Sequence, residues 1–314
     1  MKQLFEIDLH DYDGCTKKFS RPSARAIIIQ KDRIALVYSR RDKYYKFPGG
    51  GIHSGEDKKA ALIREAKEET GLVVIPESIA EFGSVMRRQK SNISADTVFE
   101  QENFYYVCRV KDTIAEQKLD DYEREAEFTL RYVSIDEAIA VNETYTTDDF
   151  FDEIMIKREA KVLRMIRGQL IMQELLPYAY LMDLGLDADS VYLKCGVKLD
   201  GLLEKYPDDR DLQELEYISD VGQTAEYILE HTDFPLINPD CFGRTLMSLL
   251  TTIYESMDIS VFAKRMYELW QRLPESICHN EPFLTLNYGG DPLLGYGDER
   301  QTRQLYEKML GYYM

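Results

Sequence analysis

The sequence predicts an α/β fold with a mixed sheet over its first half, followed by a mainly α-helical second domain. Three observations carry that expectation. Short apolar, β-branched segments separated by polar turns recur between residues 24 and 133, with one helical stretch at 57–70 among them. After residue 167 the strand pattern stops and segments of helical period take over. Charge divides at the same place: of a net −17, residues 1–167 carry −3, from 28 Lys+Arg and 31 Asp+Glu, and residues 168–314 carry −14. A chain of 314 residues is long for one domain, and the expected boundaries are 1–167 and 168–314.

In chain order, 24–30 (ARAIIIQ) and 33–39 (RIALVYS) read as a hairpin around Lys31-Asp32, and Lys43–Phe47 reads as a strand entering a glycine turn. Residues 57–70 have an apolar stripe of Ala60, Ala61, Leu62, Ile63 and Ala66, no proline, and Gly71 at the C-terminal stop. Further strands are expected at 72–75, 79–86, 104–110 and 128–133. Ser134 and Glu137 form a capping-box pattern ahead of a short helix, and 151–167 has helical period. Beyond 167, helices are expected at 169–185, 197–205, 210–231, 242–257, 258–272 and 299–312, with a Gly- and Pro-containing loop at 287–297.

The chemistry concentrates in residues 50–72, GGIHSGEDKKAALIREAKEETGL. On a helix, Glu65, Glu68 and Glu69 stand at i, i+3 and i+4 and project from one face. Three carboxylates that close repel one another unless cations neutralise them. Oxygen-only donors suit a hard divalent cation, Mg²⁺ or Mn²⁺, rather than Zn²⁺. An isolated E-x-x-E-E reads as a solvated acidic face. Here it follows Phe47-Pro48-Gly49-Gly50-Gly51 and carries Arg64 beside Glu65, which turns the reading towards a site.

Gly50, Glu56, Arg64, Glu65, Glu68, Glu69 and Gly71, with Ala66 and Leu72, spell G-x5-E-x7-R-E-U-x-E-E-x-G-U, U being aliphatic. The pattern resembles the signature box of the Nudix hydrolases, which cleave nucleoside diphosphates linked to a further group. The resemblance covers about residues 1–167 and implies an α/β/α sandwich. It also implies roles. Glu68 and Glu69 match the principal metal ligands, and Glu65 a carboxylate that binds metal or acts as general base. Arg64 matches the arginine that orients the carboxylates, Glu56 a more distant metal-shell carboxylate, and the carbonyl of Gly49 a backbone ligand. Members often add a carboxylate from a later loop, for which Glu125 and Glu127 are both candidates. Basic and aromatic residues flank the box, and Arg41, Tyr45, Gly50 and Arg87 are the candidate substrate contacts. The marks of ADP-ribose and diadenosine polyphosphate hydrolases are missing at their positions past the box. By default this favours a nucleoside triphosphate or modified triphosphate, as in MutT-like members. The alternative is a non-catalytic nucleotide sensor that signals through the helical domain.

Composition narrows the partners. A net charge of −17 argues against binding nucleic acid through its phosphates, and the small nucleotide substrate is what the resemblance implies. No run of 18 apolar residues exists, so no transmembrane helix or membrane partner is expected. The first residues carry acids and lack an apolar core segment, so no signal peptide is expected. Five widely spaced cysteines without C-x-x-C read as free thiols in a reducing cytoplasm. The helical half holds no catalytic constellation, and its expected work is dimerisation, as a homodimer, lid formation or partner binding.

Overall fold

A computed structural model of the chain describes residues 1–232, 236–295 and 297–314. The chain divides into two compact units, Met1–Arg167 and Gly168–Met314.

The first unit opens with β1 (Gln3–Asp8), β2 (Lys17–Ser20), β3 (Ser23–Ile27), β4 (Ile29–Gln30), β5 (Arg33–Ser39), β6 (Tyr45–Lys46) and β7 (Gly49–Gly51). Then come α1 (Lys58–Thr70), β8 (Leu72–Val74), β9 (Ala80–Lys90), β10 (Thr97–Val107) and β11 (Val110–Ile114). It continues through α2 (Asp121–Glu125), β12 (Phe128–Val133), α3 (Ile135–Thr144) and α4 (Phe150–Met172), which contains the unit boundary. The main sheet runs β1-β9-β10-β3-β7, with β2 also on β10. It is mixed: β10 is parallel to β2 and β3 and antiparallel to β9. A second sheet, β12-β5-β4 with β6 on β5, is antiparallel.

Two sequence expectations change here for local reasons. The strand at 24–30 breaks at Ile28 because its halves serve different sheets: β3 pairs with β10 and β7, and β4 pairs with β5. The strand at Lys43–Phe47 shrinks to β6, since Lys43 has φ 63° in a turn closed by its N–H to Ser39 O. Strands β1, β2 and β11 were not expected from the sequence; β2 is wholly exposed, so no apolar alternation marks it.

Helix α1 is fixed at both ends. Asp57 caps it by accepting from the N–H groups of Lys59 and Ala60. Gly71 ends it at φ 76°, where a Cβ would lie 2.4 Å from Ala115 O. The helix buries Ala61, Leu62 and Ala66 with Ala24, Ala26, Phe104 and Tyr106 of the main sheet. Alanines on both sides bring helix and sheet close, and Glu65 and Glu69, which leave α1 on the same side as Ala61 and Ala66, meet the Gly49–Gly51 turn.

The second unit is mainly helical: α5 (Leu176–Asp183), α6 (Ala188–Lys205), α7 (Arg210–Glu216), α8 (Val221–Glu230) and α9 (Pro239–Ser256). It ends with α10 (Ile259–Trp270), α11 (Glu275–Cys278), α12 (Leu284–Tyr288) and α13 (Glu299–Leu310). The expected helix 210–231 is two, because Asp220 caps a new start on Gln223 N–H. The expected loop 287–297 contains a short 3₁₀ turn at Asp291–Leu294, and its Tyr296 lies outside the described residues. One core holds the unit together, with Leu181, Leu246, Leu250, Phe262, Leu286 and Tyr306 fully buried.

Candidate active site

The three box carboxylates expected on one face of α1 divide between two surroundings. Glu65 and Glu68 turn to Arg64, whose Nη1 donates to them at 2.7 and 3.1 Å. The same guanidinium donates to Glu56 at 2.8 and 2.9 Å and to Gly51 O at 3.0 Å. Glu56 also accepts the N–H of His53. Arg64 and this backbone bond hold the Glu56 carboxyl down at about 2, and the acids in turn raise the guanidinium. Arg64 thus gathers carboxylates from the helix and from the loop before it.

Glu69 goes the other way. Its side chain is 1% exposed, takes Lys46 Nζ at 2.6 Å on one oxygen and the Gly49 N–H at 2.8 Å on the other. Burial pushes its carboxyl up, against the pull of Lys46. The Gly49 carbonyl accepts from Arg25. The tight fit has a physical cause. A Cβ at Gly49, where φ is 137°, would lie 2.1 Å from Ala24 O, and one at Gly50 would lie 2.3 Å from Glu65 Oε2. Glu65 lies in a cradle that only glycine leaves open.

Among the described residues, no three His, Cys, Asp or Glu side chains already converge as a metal cage. The donor chemistry nonetheless fits a hard divalent cation: Glu65 rests against bare backbone, and the Glu68 side chain, 38% exposed, reaches solvent beside it.

The remaining candidates scatter. Arg41 is exposed and paired with Asp42. Tyr45 is buried, donates to Glu137, and its backbone N–H is held by Asn142. Arg87 is buried, donates to Gln89 and Phe151 O, and lies 3.9 Å over the Phe151 ring. Burial and then the charge of Arg158 push it down to about 9. Of the two outside carboxylates, Glu125 and Glu127 are both exposed, and Glu127 approaches Arg40 at 3.9 Å.

Two residues escaped the sequence reading. Glu123 is buried and caps α2, accepting from Asp120 N–H and from the Tyr122 hydroxyl at 2.9 Å each. That hydroxyl is raised by desolvation, then by the charges of Glu123 and Glu69, so it lies within electrostatic reach of both. The Asp120-x-x-Glu123 capping pattern was its signal. Glu159 is wholly buried and accepts from Phe47 N–H, Tyr105 and Arg158, so it anchors the turn before Pro48. A glutamate on the buried stripe of α4, between Ile156 and Leu163, was its signal.

The family model described as NUDIX domain matches residues 19–154, all within the first unit. An RNA pyrophosphohydrolase of Nitratiruptor sp. is 32% identical over 121 residues, 36% of this chain and 76% of that protein. Nudix hydrolase 25 of Arabidopsis thaliana is 42% identical over 55 residues, 17% of this chain and 31% of that protein. The match thus spans about a third of the Arabidopsis relative's length and three quarters of the Nitratiruptor one's. A solved NUDIX hydrolase from Nitrosomonas europaea aligns over 45% of this chain and 89% of its own, at 22% identity and a TM-score of 0.32. With Glu56, Glu65 and Glu68 of its signature gathered around Arg64 and this match across its first unit, the chain belongs to the Nudix hydrolase family.

Proposed function

We propose that the first unit is a Mg²⁺- or Mn²⁺-dependent pyrophosphohydrolase acting on a nucleoside triphosphate or modified triphosphate. The observation that carries this reading is the Arg64 cluster, which collects Glu56, Glu65 and Glu68 beside a glycine cradle. When bound, Mg²⁺ or Mn²⁺ supplies neutralisation of the diphosphate charge. Glu65 and Glu68 would hold it, with Glu125 and Glu127 the candidates for a further carboxylate from outside the box. Glu65, fixed by Arg64, accepts the proton of the water that attacks phosphorus. Glu69 braces the turn through Lys46 and the Gly49 N–H. The bare backbone of Gly49–Gly51 leaves room for phosphate oxygens. The Nitratiruptor relative is named for RNA, but the net charge of this chain favours a small nucleotide.

One observation favours a second reading, a nucleotide sensor without turnover. Lys46 already neutralises a box carboxylate with the protein's own cation. A panel of nucleoside triphosphates, 8-oxo-dGTP, ADP-ribose, nucleotide sugars and dinucleoside polyphosphates separates the two. Phosphate or pyrophosphate release that needs Mg²⁺ or Mn²⁺, and that Glu68→Gln abolishes, supports the enzyme. Stoichiometric binding without release supports the sensor. Glu68 is the better probe than Glu69, since a Glu69 variant also strands the buried Lys46.

A further inference from the structure

The second unit holds a cavity of 590 Å³ between α10, α12 and the 3₁₀ turn at Asp291–Leu294. That is the size of a small-molecule site, which runs from about 300 to 1,000 Å³. Glycine makes it. The Tyr306 ring presses on Gly289 and Gly290 so closely that a Cβ at 289 would lie 2.6 Å from its Cε1. Gly290 and Ala263 form the floor of the cavity.

Behind that floor lies an unsatisfied group. Tyr306 is fully buried and its hydroxyl has no hydrogen-bond partner among the described residues. It stands 3.6 Å from where a Cβ of Gly290 would be. Burial, and then the Asp291 carboxylate on the cavity wall, raise its pKa, so the hydroxyl and Asp291 are electrostatic neighbours. A buried donor without a partner costs about 1–3 kcal/mol, and this one lies behind Gly290 rather than among the residues that line the cavity.

The walls supply a planar face and one cation. Tyr267 is 44% exposed and backed by Trp270, whose ring stacks on it at 6.1 Å and 19°. Lys264, one turn earlier on α10, has no carboxylate within ion-pairing distance among the described residues, although the unit carries a net −14. Leu293 and Leu294 close the apolar side, and Asn287 offers an amide. Stacking face, single cation, amide and carboxylate together suit a planar base, one phosphate and a sugar with hydroxyls to donate.

We propose that this cavity is a second ligand site, for a nucleoside monophosphate, separate from the box of the first unit. The test uses the full chain in EDTA, with AMP, GMP, CMP and UMP as probes and inorganic phosphate and adenosine as their halves. Hydrogen exchange is followed by mass spectrometry. The expected result is protection of residues 259–270 and 284–294 by at least one monophosphate, and less by either half. Lys264→Ala and Tyr267→Ala each weaken that binding about tenfold, and Lys308→Ala does not. No protection there at millimolar probe overturns the proposal. So does protection that both cavity variants leave unchanged.

Discussion

The two units bury different things. The first buries Arg25, Lys46, Glu69, Arg87, Glu123, Arg158 and Glu159. In the second, the buried polar residues among those described are four threonines, Thr224, Thr232, Thr285 and Thr302. Buried charge is costly unless paired, and a core can be built without it, as the second unit demonstrates. Several of the first unit's buried ions surround one short segment. Glu69 and Glu159 hold the turn through the N–H groups of Gly49 and Phe47, and Arg25 holds its carbonyls. The comparison teaches that much of the ionic interior of the first unit serves the glycine turn.

The largest expected effect is on activity. Gly50→Ala places a Cβ against Glu65 and displaces it from Arg64, and a misplacement of that size costs about 10²-fold in turnover. A steady-state assay on the substrate found by the panel checks it, and an unchanged rate would mean the cradle has no catalytic part. Next comes stability. Arg158→Met leaves Glu159 buried without its cation and is expected to cost about 3–5 kcal/mol in denaturant unfolding. Leu250→Ala in the second unit costs a similar 2–5 kcal/mol or so, but through a cavity alone and without the pH dependence of an ionic site.

A smaller effect is set by pH. The folded-state pKa of Glu56 is depressed from 4.5 to about 2. Its pairing with Arg64 therefore contributes fully above pH 4.5 and is lost as pH falls towards 2. The melting-temperature difference between the natural chain and Glu56→Gln should be constant near neutrality and shrink below pH 4.5. A gap that widens on acidification would contradict the assignment. The smallest effect is expected for Arg87→Met. Arg87 is a buried cation bonded to neutral partners only, so its replacement is neutral within about 1 kcal/mol. A loss as large as that of Arg158→Met would erase the distinction between the two arginines.

Legibility in the sequence followed the range of the interactions. The C-terminal stop of α1 and the N-cap of α3 were readable because Gly71 and Ser134 act within four residues. So was the family box, a local spacing on one helix. What the sequence could not show was set at a distance. That Glu69 turns inward depends on Lys46, 23 positions earlier, and Glu159 meets Phe47 across 112. Periodicity placed three glutamates on one face, but it is blind to which of them finds a buried cation. The split at Ile28 depended likewise on partners in two sheets. In the second unit the helical pattern was legible, whereas the cavity under Tyr306 arises from glycines meeting a ring from another helix.

The central claim is that carboxylates gathered by Arg64 make the first unit a metal-dependent hydrolase. Its most direct test is kcat/KM with Mg²⁺ for the natural chain, Glu65→Gln and Glu68→Gln, each with its melting curve. The account predicts losses of about 10²-fold or more in both variants, with melting curves that stay close to that of the natural chain. Full turnover in both folded variants would contradict it.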